Sequence, residues 1–436
     1  MKPRFLLIVW LLVPAFSLTP AVAQMSQSSP NVQQLTLHQA EQIAIQNHPR
    51  IQAAMNLASA AKARVTETRS AYYPTVYGSL TGADAENNSR VAAGGLSNSI
   101  IYDRYANGVT VNQLITDFGR THELVKSSDF NAQAQQATVI TTRADVLLQV
   151  DQAYFFALKA QSVLAVAEET VKARQLGSDQ VTELAKNKIK SELDVNFANV
   201  NLAQAQLLLI QAQNDLQSSF ARLSAALGYS DLRTFQLTDE PMPAAPPVEV
   251  SGLVQQALKD RPELVSQRLA VSSSQSYATA ERDLKLPTVT AIGTAGLTPV
   301  NEAPLAPRYA AAGFNVNIPI FNGHLYGALH TEAEARAQAE TQYLRDLQDQ
   351  IVRDVQTAWL NANSAYQRLA VTDRLLSEAN QALDLAQGRY SIGLSSIIEL
   401  TQAELNQTEA RIEQASAKYD YQAQTSFLNY QLGALH

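Results

Sequence analysis

The sequence predicts a mixed α and transmembrane β protein, built from long coiled-coil-like helices and four short strands per chain. Three observations predict it. A strand that runs straight into a very long helix is written twice, at residues 106–119 (ANGVTVNQLITDFG) and 310–323 (AAAGFNVNIPIFNG). The stretches that follow hold almost no proline or glycine and are dominated by Ala, Gln, Leu and Glu, which are strong helix formers. The first residues read as an export signal, yet no later stretch approaches the roughly 20 apolar residues that a spanning helix needs.

The signal has three parts in order. Lys2 and Arg4 give the positive region, residues 5–16 the apolar run, and Ala21-Val22-Ala23 a small-residue cleavage site. Cleavage is predicted after Ala23, with the mature chain starting at Gln24. An exported chain without a spanning helix is either soluble or a β-barrel. The 436 residues carry a net charge of -7, with no basic footprint for nucleic acid. There is no cysteine, which excludes disulfides, thiolate catalysis, cysteine-ligated zinc and lipidation on cysteine.

The remaining chain is two repeats, about 36–228 and 250–433, joined by a proline-rich linker at 229–249 that holds Pro241, Pro243, Pro246 and Pro247. Asn47-His48-Pro49 matches Asp260-Arg261-Pro262, an offset of 262 − 49 = 213. Pro74-Thr75-Val76 matches Pro287-Thr288-Val289 at the same offset, 287 − 74 = 213. Gly119 pairs with Gly323 at 323 − 119 = 204, so the first repeat carries a longer excursion between its strands. Ala226-Leu227-Gly228 pairs with Gln431-Leu432-Gly433, 433 − 228 = 205. Repeats this long are duplicated units rather than a solenoid.

Each repeat opens with a helix, expected over 37–69 and over 250–284. Two strands follow, expected over 73–82 and 105–114, then over 288–297 and 310–321. Val109 and Val111 alternate with Thr110 and Asn112, and Phe314, Val316 and Ile318 alternate with Asn315 and Asn317. That period of two gives one greasy and one wet face. Pro319 ends ladder donation and Gly323 is expected to end the strand. Strands of about ten residues are long enough to cross a membrane at a tilt. The loops beyond them, at 82–98 and 299–307, are polar and suit the extracellular side. Tyr72, Tyr73, Tyr102, Tyr105, Tyr309 and Phe321 stand near strand ends, where an aromatic girdle belongs.

The long helices are expected over 121–175 with 179–227, and over 325–389 with 396–432. Apolar positions such as Leu147, Val150, Tyr154 and Ala157 recur at threes and fours, which suits coiled-coil packing. Helices alone would equally describe a soluble periplasmic coiled-coil scaffold without a pore. The repeated strands decide against it, and they impose a constraint. Four strands cannot close a barrel and an open edge cannot sit in lipid, so several chains must share one barrel.

The motifs VTVNQLITDFGR (109–120) and FNVNIPIFNGH (314–324), the duplicated NHP and DRP helix starts, and the turn YSIGLSS (390–396) resemble the TolC family of outer-membrane efflux factors. The resemblance covers nearly all of the mature chain through order, duplication and spacing. It implies a homotrimer in outer-membrane lipid, with about twelve strands in a shared β-barrel and the helices in an α-helical barrel reaching into the periplasm. The implied partners are a periplasmic adaptor of the membrane-fusion type and an inner-membrane pump or ABC exporter.

The resemblance also implies residues. Ile392, Gly393, Leu394 and Ser395 form the second helix-to-helix tip, where adaptor hairpins dock. Aligning Asp194 with Glu399 (399 − 194 = 205) puts Lys186–Ser191 at the first tip, where Lys186, Lys188 and Lys190 replace the glycine-bearing turn. Glu399 matches the acidic constriction of the periplasmic gate. Gln402 stands where the family can carry a second acid, which leaves a single ring of charge. Tyr390 and Asp194 match a tyrosine–aspartate hydrogen bond that ties the two helix pairs together in the closed state. Ser395 replaces an arginine of the family, which removes a salt link between protomers.

No enzyme is expected, and no cofactor or metal. The histidines His38, His48, His122, His324, His330 and His436 form no HExxH or paired ligand spacing. Gly94-Gly95 has no following lysine, and no GxSxG elbow exists.

Overall fold

The computed structural model describes residues 33–84, 86, 103–301 and 306–435. The export signal, Tyr102 and most of the two polar loops lie outside the described residues. The first repeat opens with β1 (Gln33–Leu35), α1 (Leu37–Asn47) and α2 (Pro49–Arg69). One helix was expected there. His48, extended at φ -71 and ψ 122, splits it in two, because the residue before a proline is driven out of the helical region. The second repeat does the same at Arg261. As elements met later in the chain, α5 (Ser251–Asp260) and α6 (Pro262–Asp283) replace the single helix expected over 250–284.

Four strands form one antiparallel sheet in the order β2 (Thr75–Ala83), β3 (Arg104–Thr116), β5 (Thr288–Asn301) and β6 (Arg308–Asn317). Val76 faces Val111, Thr110 faces Thr294, and Val289 faces Val316. Strand β6 ends at Asn317, short of the expected 321. Pro319 cannot donate to a ladder, and Gly323 (φ +63) and His324 (φ +69) turn the chain into the next helix. Among the described residues, the outer edges of β2 and β6 have no partner strand.

Each strand pair feeds a hairpin of two long helices. The first is α3 (Arg120–Lys186) with α4 (Glu192–Ala226), the second α7 (Leu325–Ser391) with α8 (Ile397–Gln431). The paired helices have 67 and 35 residues in both repeats, so the long ones reach about 100 Å at ~1.5 Å per residue. The break expected between 175 and 179 is absent. An isolated glycine costs a helix only about 1 kcal/mol, and Gly177 lies within α3. Buried small residues recur every seventh position: Ala198, Ala205 and Ala212 on α4, Ala358, Ala365, Thr372, Ala379 and Ala386 on α7, Ala403, Ala410 and Ala417 on α8. Such a seam lets helices approach closely and supercoil.

The core lies part-way along the long helices, where the short elements wrap them. Leu35, Val150, Tyr154, Leu223 and Phe235 form one cluster, and Leu264, Ile351, Val355 and Leu428 form its counterpart. Strand β4 (Phe235–Leu237), in the linker, pairs in parallel with β1. The Tyr154 hydroxyl lies 2.9 Å from the Leu35 carbonyl and 2.6 Å from that of Thr238, holding both strands to α3. The linker then straps over the second hairpin, where Trp359 Nε1 donates to Pro247 and Gln422 Nε2 to Glu240. Each hairpin ends in a left-handed glycine pressed onto the helix break of its own repeat. A Cβ on Gly228 would stand 3.0 Å from the Asn47 carbonyl, and one on Gly433 3.1 Å from that of Asp260. Glycine is required twice over, for conformation and for space.

Candidate functional site

The two hairpin tips lie at the end of the molecule remote from the sheet. Both turns close as Schellman motifs. In the first, Ile189 N donates to Leu184 O at 2.9 Å and Lys188 N to Ala185 O at 2.9 Å. In the second, Leu394 N donates to Arg389 O at 2.8 Å and Gly393 N to Tyr390 O at 3.2 Å. The left-handed position is Gly393 (φ +75) in one and Lys188 (φ +61) in the other, 393 − 188 = 205 residues apart. The lysine therefore does the glycine's work under strain.

Serine caps the return helix at each tip. Ser191 Oγ accepts from Asp194 N, and Ser396 Oγ from Glu399 N. From there the tips diverge. Asp194 turns its carboxylate back on Ser191, accepting from the backbone N–H at 3.0 Å and from the hydroxyl at 2.8 Å. Glu399 reaches across the turn to Arg389, whose Nε lies 3.0 Å away. Gln402 donates along its own helix to Asn406. Ile392 and Leu394 stand 70% and 67% exposed, an apolar point at the second tip. Lys186 pairs with Glu183 on its own helix.

The hydrogen bond expected between Tyr390 and Asp194 does not form. The capping box occupies Asp194, and the buried Tyr390 hydroxyl has no partner. Burial first, then the charges of Asp194 and Glu404, raise the Tyr390 pKa above its ordinary value. Lys190 links the tips instead, with its ammonium 3.7 Å above the Tyr390 ring. About two turns above the second tip along α8, Arg174 on α3 meets Glu404 at 2.6 Å and donates to the Thr408 hydroxyl. The pair is 10% and 18% exposed, and burial lowers the arginine pKa and raises that of the glutamate. A cleft of about 520 Å³ between α3, α7 and α8 is lined by Arg174, Tyr390, Glu404 and Arg411.

Among the described residues no group of three or more His, Asp or Glu could hold a metal ion, and no helix is long and apolar enough to cross a membrane. Residues 40–229 and 253–434 match the outer membrane efflux protein family. The chain belongs to that family. It is 23% identical over 360 residues to the outer membrane protein TolC of Escherichia coli, covering 76% of this chain and 72% of TolC. A membrane protein of Pseudomonas aeruginosa superposes with a TM-score of 0.82 at 19% identity, over 91% of this chain and 93% of that one. The CmeC outer membrane channel of Campylobacter jejuni superposes at 0.79 and 16% identity, over 91% and 85%. Family and fold together set the soluble scaffold aside. The protein is an outer-membrane exit duct for efflux.

Proposed function

We propose that three copies close their sheets into one barrel of about twelve strands and their hairpins into a tunnel through the periplasm. The observation that carries this is the four-stranded sheet whose outer strands, β2 and β6, have no further partner among the described residues. In hydrocarbon an unpaired strand edge is not tolerated, and a neighbouring copy offers β6 to β2. The two repeats, 36–228 and 250–433, then contribute one hairpin each to a ring of six, with the linker as a strap outside. The export signal is removed after Ala23, and the N-terminus carries no cysteine-linked lipid.

The six tips meet a periplasmic adaptor, which joins the duct to an inner-membrane pump or ABC exporter. Ile392, Gly393, Leu394 and Ser395 give an apolar docking point, while Lys186, Lys188 and Lys190 give a basic one. Glu399 lines the gate, and Gln402, Asp194 and Tyr390 stand around it. The channel conducts passively and performs no chemistry.

Crosslinking in outer-membrane fractions tests assembly and docking together. The expected result is a trimer for the wild type and for Leu394→Glu, with efflux lost only in the variant. A monomeric membrane species overturns the shared barrel. Unchanged efflux in Leu394→Glu overturns the docking point.

A further inference from the structure

We propose that the junction between β6 and α7 holds the phosphate of an anionic phospholipid from the leaflet that faces the periplasm. This rests on the reading above that the sheet spans the outer membrane. A cavity, a lysine without a partner and an apolar apron carry it together.

The apron continues the strand. Phe314 and Val316 alternate with Asn315 and Asn317, and Ile318 and Ile320 fall at the next positions on the apolar side of that alternation. The ladder stops at Asn317, so these residues pair with nothing in the sheet. They stand exposed all the same, Ile320 at 94% and Phe321 at 80%. Large apolar side chains clustered on a surface mark contact with something apolar, and these run on from the apolar face of the strand.

Lys285 comes from the turn before β5 and lines one cavity of about 390 Å³ with Ile320, Phe321, His324 and Tyr326. Among the described residues it has no ion pair and no side-chain hydrogen bond. The nearby Arg282 is held by Asp283 at 3.0 Å. Strand β5 lies between β3 and β6, so Lys285 approaches β6 from within the chain, away from the edge that a neighbouring copy would cover.

The first repeat reverses the charge. At the offset of 213, Lys285 corresponds to Tyr72, 285 − 72 = 213. The starts of α3 and α7 differ by 325 − 120 = 205, which equates Asn322 with Asp117. Asp117 accepts from the Thr121 backbone N–H at 2.8 Å and from the Thr121 hydroxyl, so the chain supplies its own anion at that junction. Asn322 brings no charge, and the α7 start has no side-chain cap. One junction is closed by an acid, and the other is left with an unpaired cation. A phosphate is therefore repelled at the first and attracted at the second, which gives one site per chain.

A phospholipid satisfies both halves of the site. Its phosphate meets the Lys285 ammonium, and its acyl chains cover Ile318 and Ile320. A lysine whose stem lies on apolar surface while its charge stays at headgroup level is the ordinary arrangement at a bilayer edge. A free phosphate would leave the apron uncovered.

Native mass spectrometry of the delipidated full-length assembly, titrated with dioleoyl phosphatidylglycerol or dioleoyl phosphatidylcholine, counts the lipids retained. The expected result is one phosphatidylglycerol per chain, held about fivefold more tightly than phosphatidylcholine. Lys285→Gln should abolish that preference and Lys285→Arg should keep it. Ile320→Asn should weaken retention of both lipids, and Lys62→Gln, at an exposed lysine of α2, should change neither. Equal retention of the two lipids, or a preference that survives Lys285→Gln, overturns the proposal. Displacement of phosphatidylglycerol by millimolar inorganic phosphate overturns the lipid as the ligand. Flotation with liposomes scores insertion separately. A wild-type protein that does not float fails the spanning reading, whereas one that floats without preferring phosphatidylglycerol fails only this site.

Discussion

The two hairpins are the same object in backbone and different objects in chemistry. Their helices have 67 and 35 residues in both copies, and their turns close with the same pair of hydrogen bonds. A serine caps each return helix and a left-handed glycine ends each one. Around these fixed points the residues diverge. The first tip carries Lys186, Lys188 and Lys190, the second Ile392, Gly393 and Leu394. The duplication preserves what sets chain direction, which is caps, turns and small heptad residues, and leaves surface charge free to change. In the proposed trimer, an adaptor contacting all six tips would meet two alternating surfaces, and its own contacts would repeat threefold.

The largest contrast lies in the core of the first hairpin. Asp151 is 2% exposed, one of its oxygens has no partner, and Glu41 stands beside it. Position 151 + 205 = 356 is Gln356, which is exposed. Burial, then the Glu41 charge, push the Asp151 pKa from the ordinary 3.8 up to about 8. Between those values the folded chain holds a proton that the unfolded chain has lost. Stability is therefore greatest at the acid end of this window and falls as pH rises through it, by on the order of 1 kcal/mol per pH unit. Asp151→Asn should flatten this slope and raise stability near pH 8 by on the order of a few kcal/mol. Denaturant unfolding followed by helical circular dichroism at about pH 5 and about pH 8 checks it. A wild-type protein equally stable at both would show that Asp151 is ionised throughout.

A smaller effect of opposite sign is expected at the two turns. A non-glycine residue in the left-handed region costs about 1–2 kcal/mol. Lys188→Gly should relieve that strain, and Gly393→Ala should introduce it, each by about 1 kcal/mol. Amide exchange at Ile189 and Leu394, whose N–H groups close the two turns, reads the change locally. Slower exchange at Ile189 in the first variant and faster exchange at Leu394 in the second are expected. Equal exchange in wild-type and variant turns would mean that the docked assembly, not the residue, holds the turn.

Much of this frame was legible in the sequence because local rules write it. The alternation around Val109 and Phe314 acts over short spans and the repeat offset equates the two halves, whereas the helix breaks before Pro49 and Pro262 fell inside what were expected to be single helices. The site was legible only in outline. Asp194 and Glu399 are correctly equated by the repeat, yet one caps its helix and the other crosses the turn. The choice depends on Arg389, which stands ten residues before Glu399 and is brought back by the turn. The expected bond from Tyr390 fails for a local reason, since Ser191 at the N-cap competes for the same carboxylate. Arg174 and Glu404, 404 − 174 = 230 residues apart, meet only through helix packing, which no local pattern encodes. The boundaries missed at Gly177 and Asn317 are places where the longer element overrode a single glycine, or a proline acted two residues early.

The smallest effect concerns the proposed gate, and it separates the tips most sharply. Arg389 and Glu399 are 55% and 46% exposed, so their pair is worth about 0–1 kcal/mol and opens readily. Its weight is electrostatic. In a trimer, three Glu399 carboxylates near the axis would attract multivalent cations, and Gln402 adds no charge one turn on. Each Arg389 brings a positive charge with its glutamate, so the ring is close to neutral while the pairs hold. The first tip has no such counter-charge on Asp194, whose partners are a hydroxyl and an N–H. Arg389→Ala should therefore strengthen block of single-channel conductance by a trivalent cation in planar bilayers, lowering the half-blocking concentration about threefold to tenfold. Glu399→Ala should weaken the block, and the double variant should match Glu399→Ala, because the arginine acts only through the glutamate. A double variant that blocks as strongly as Arg389→Ala would place the cation elsewhere, and the first tip's Asp194 is the acid to test next.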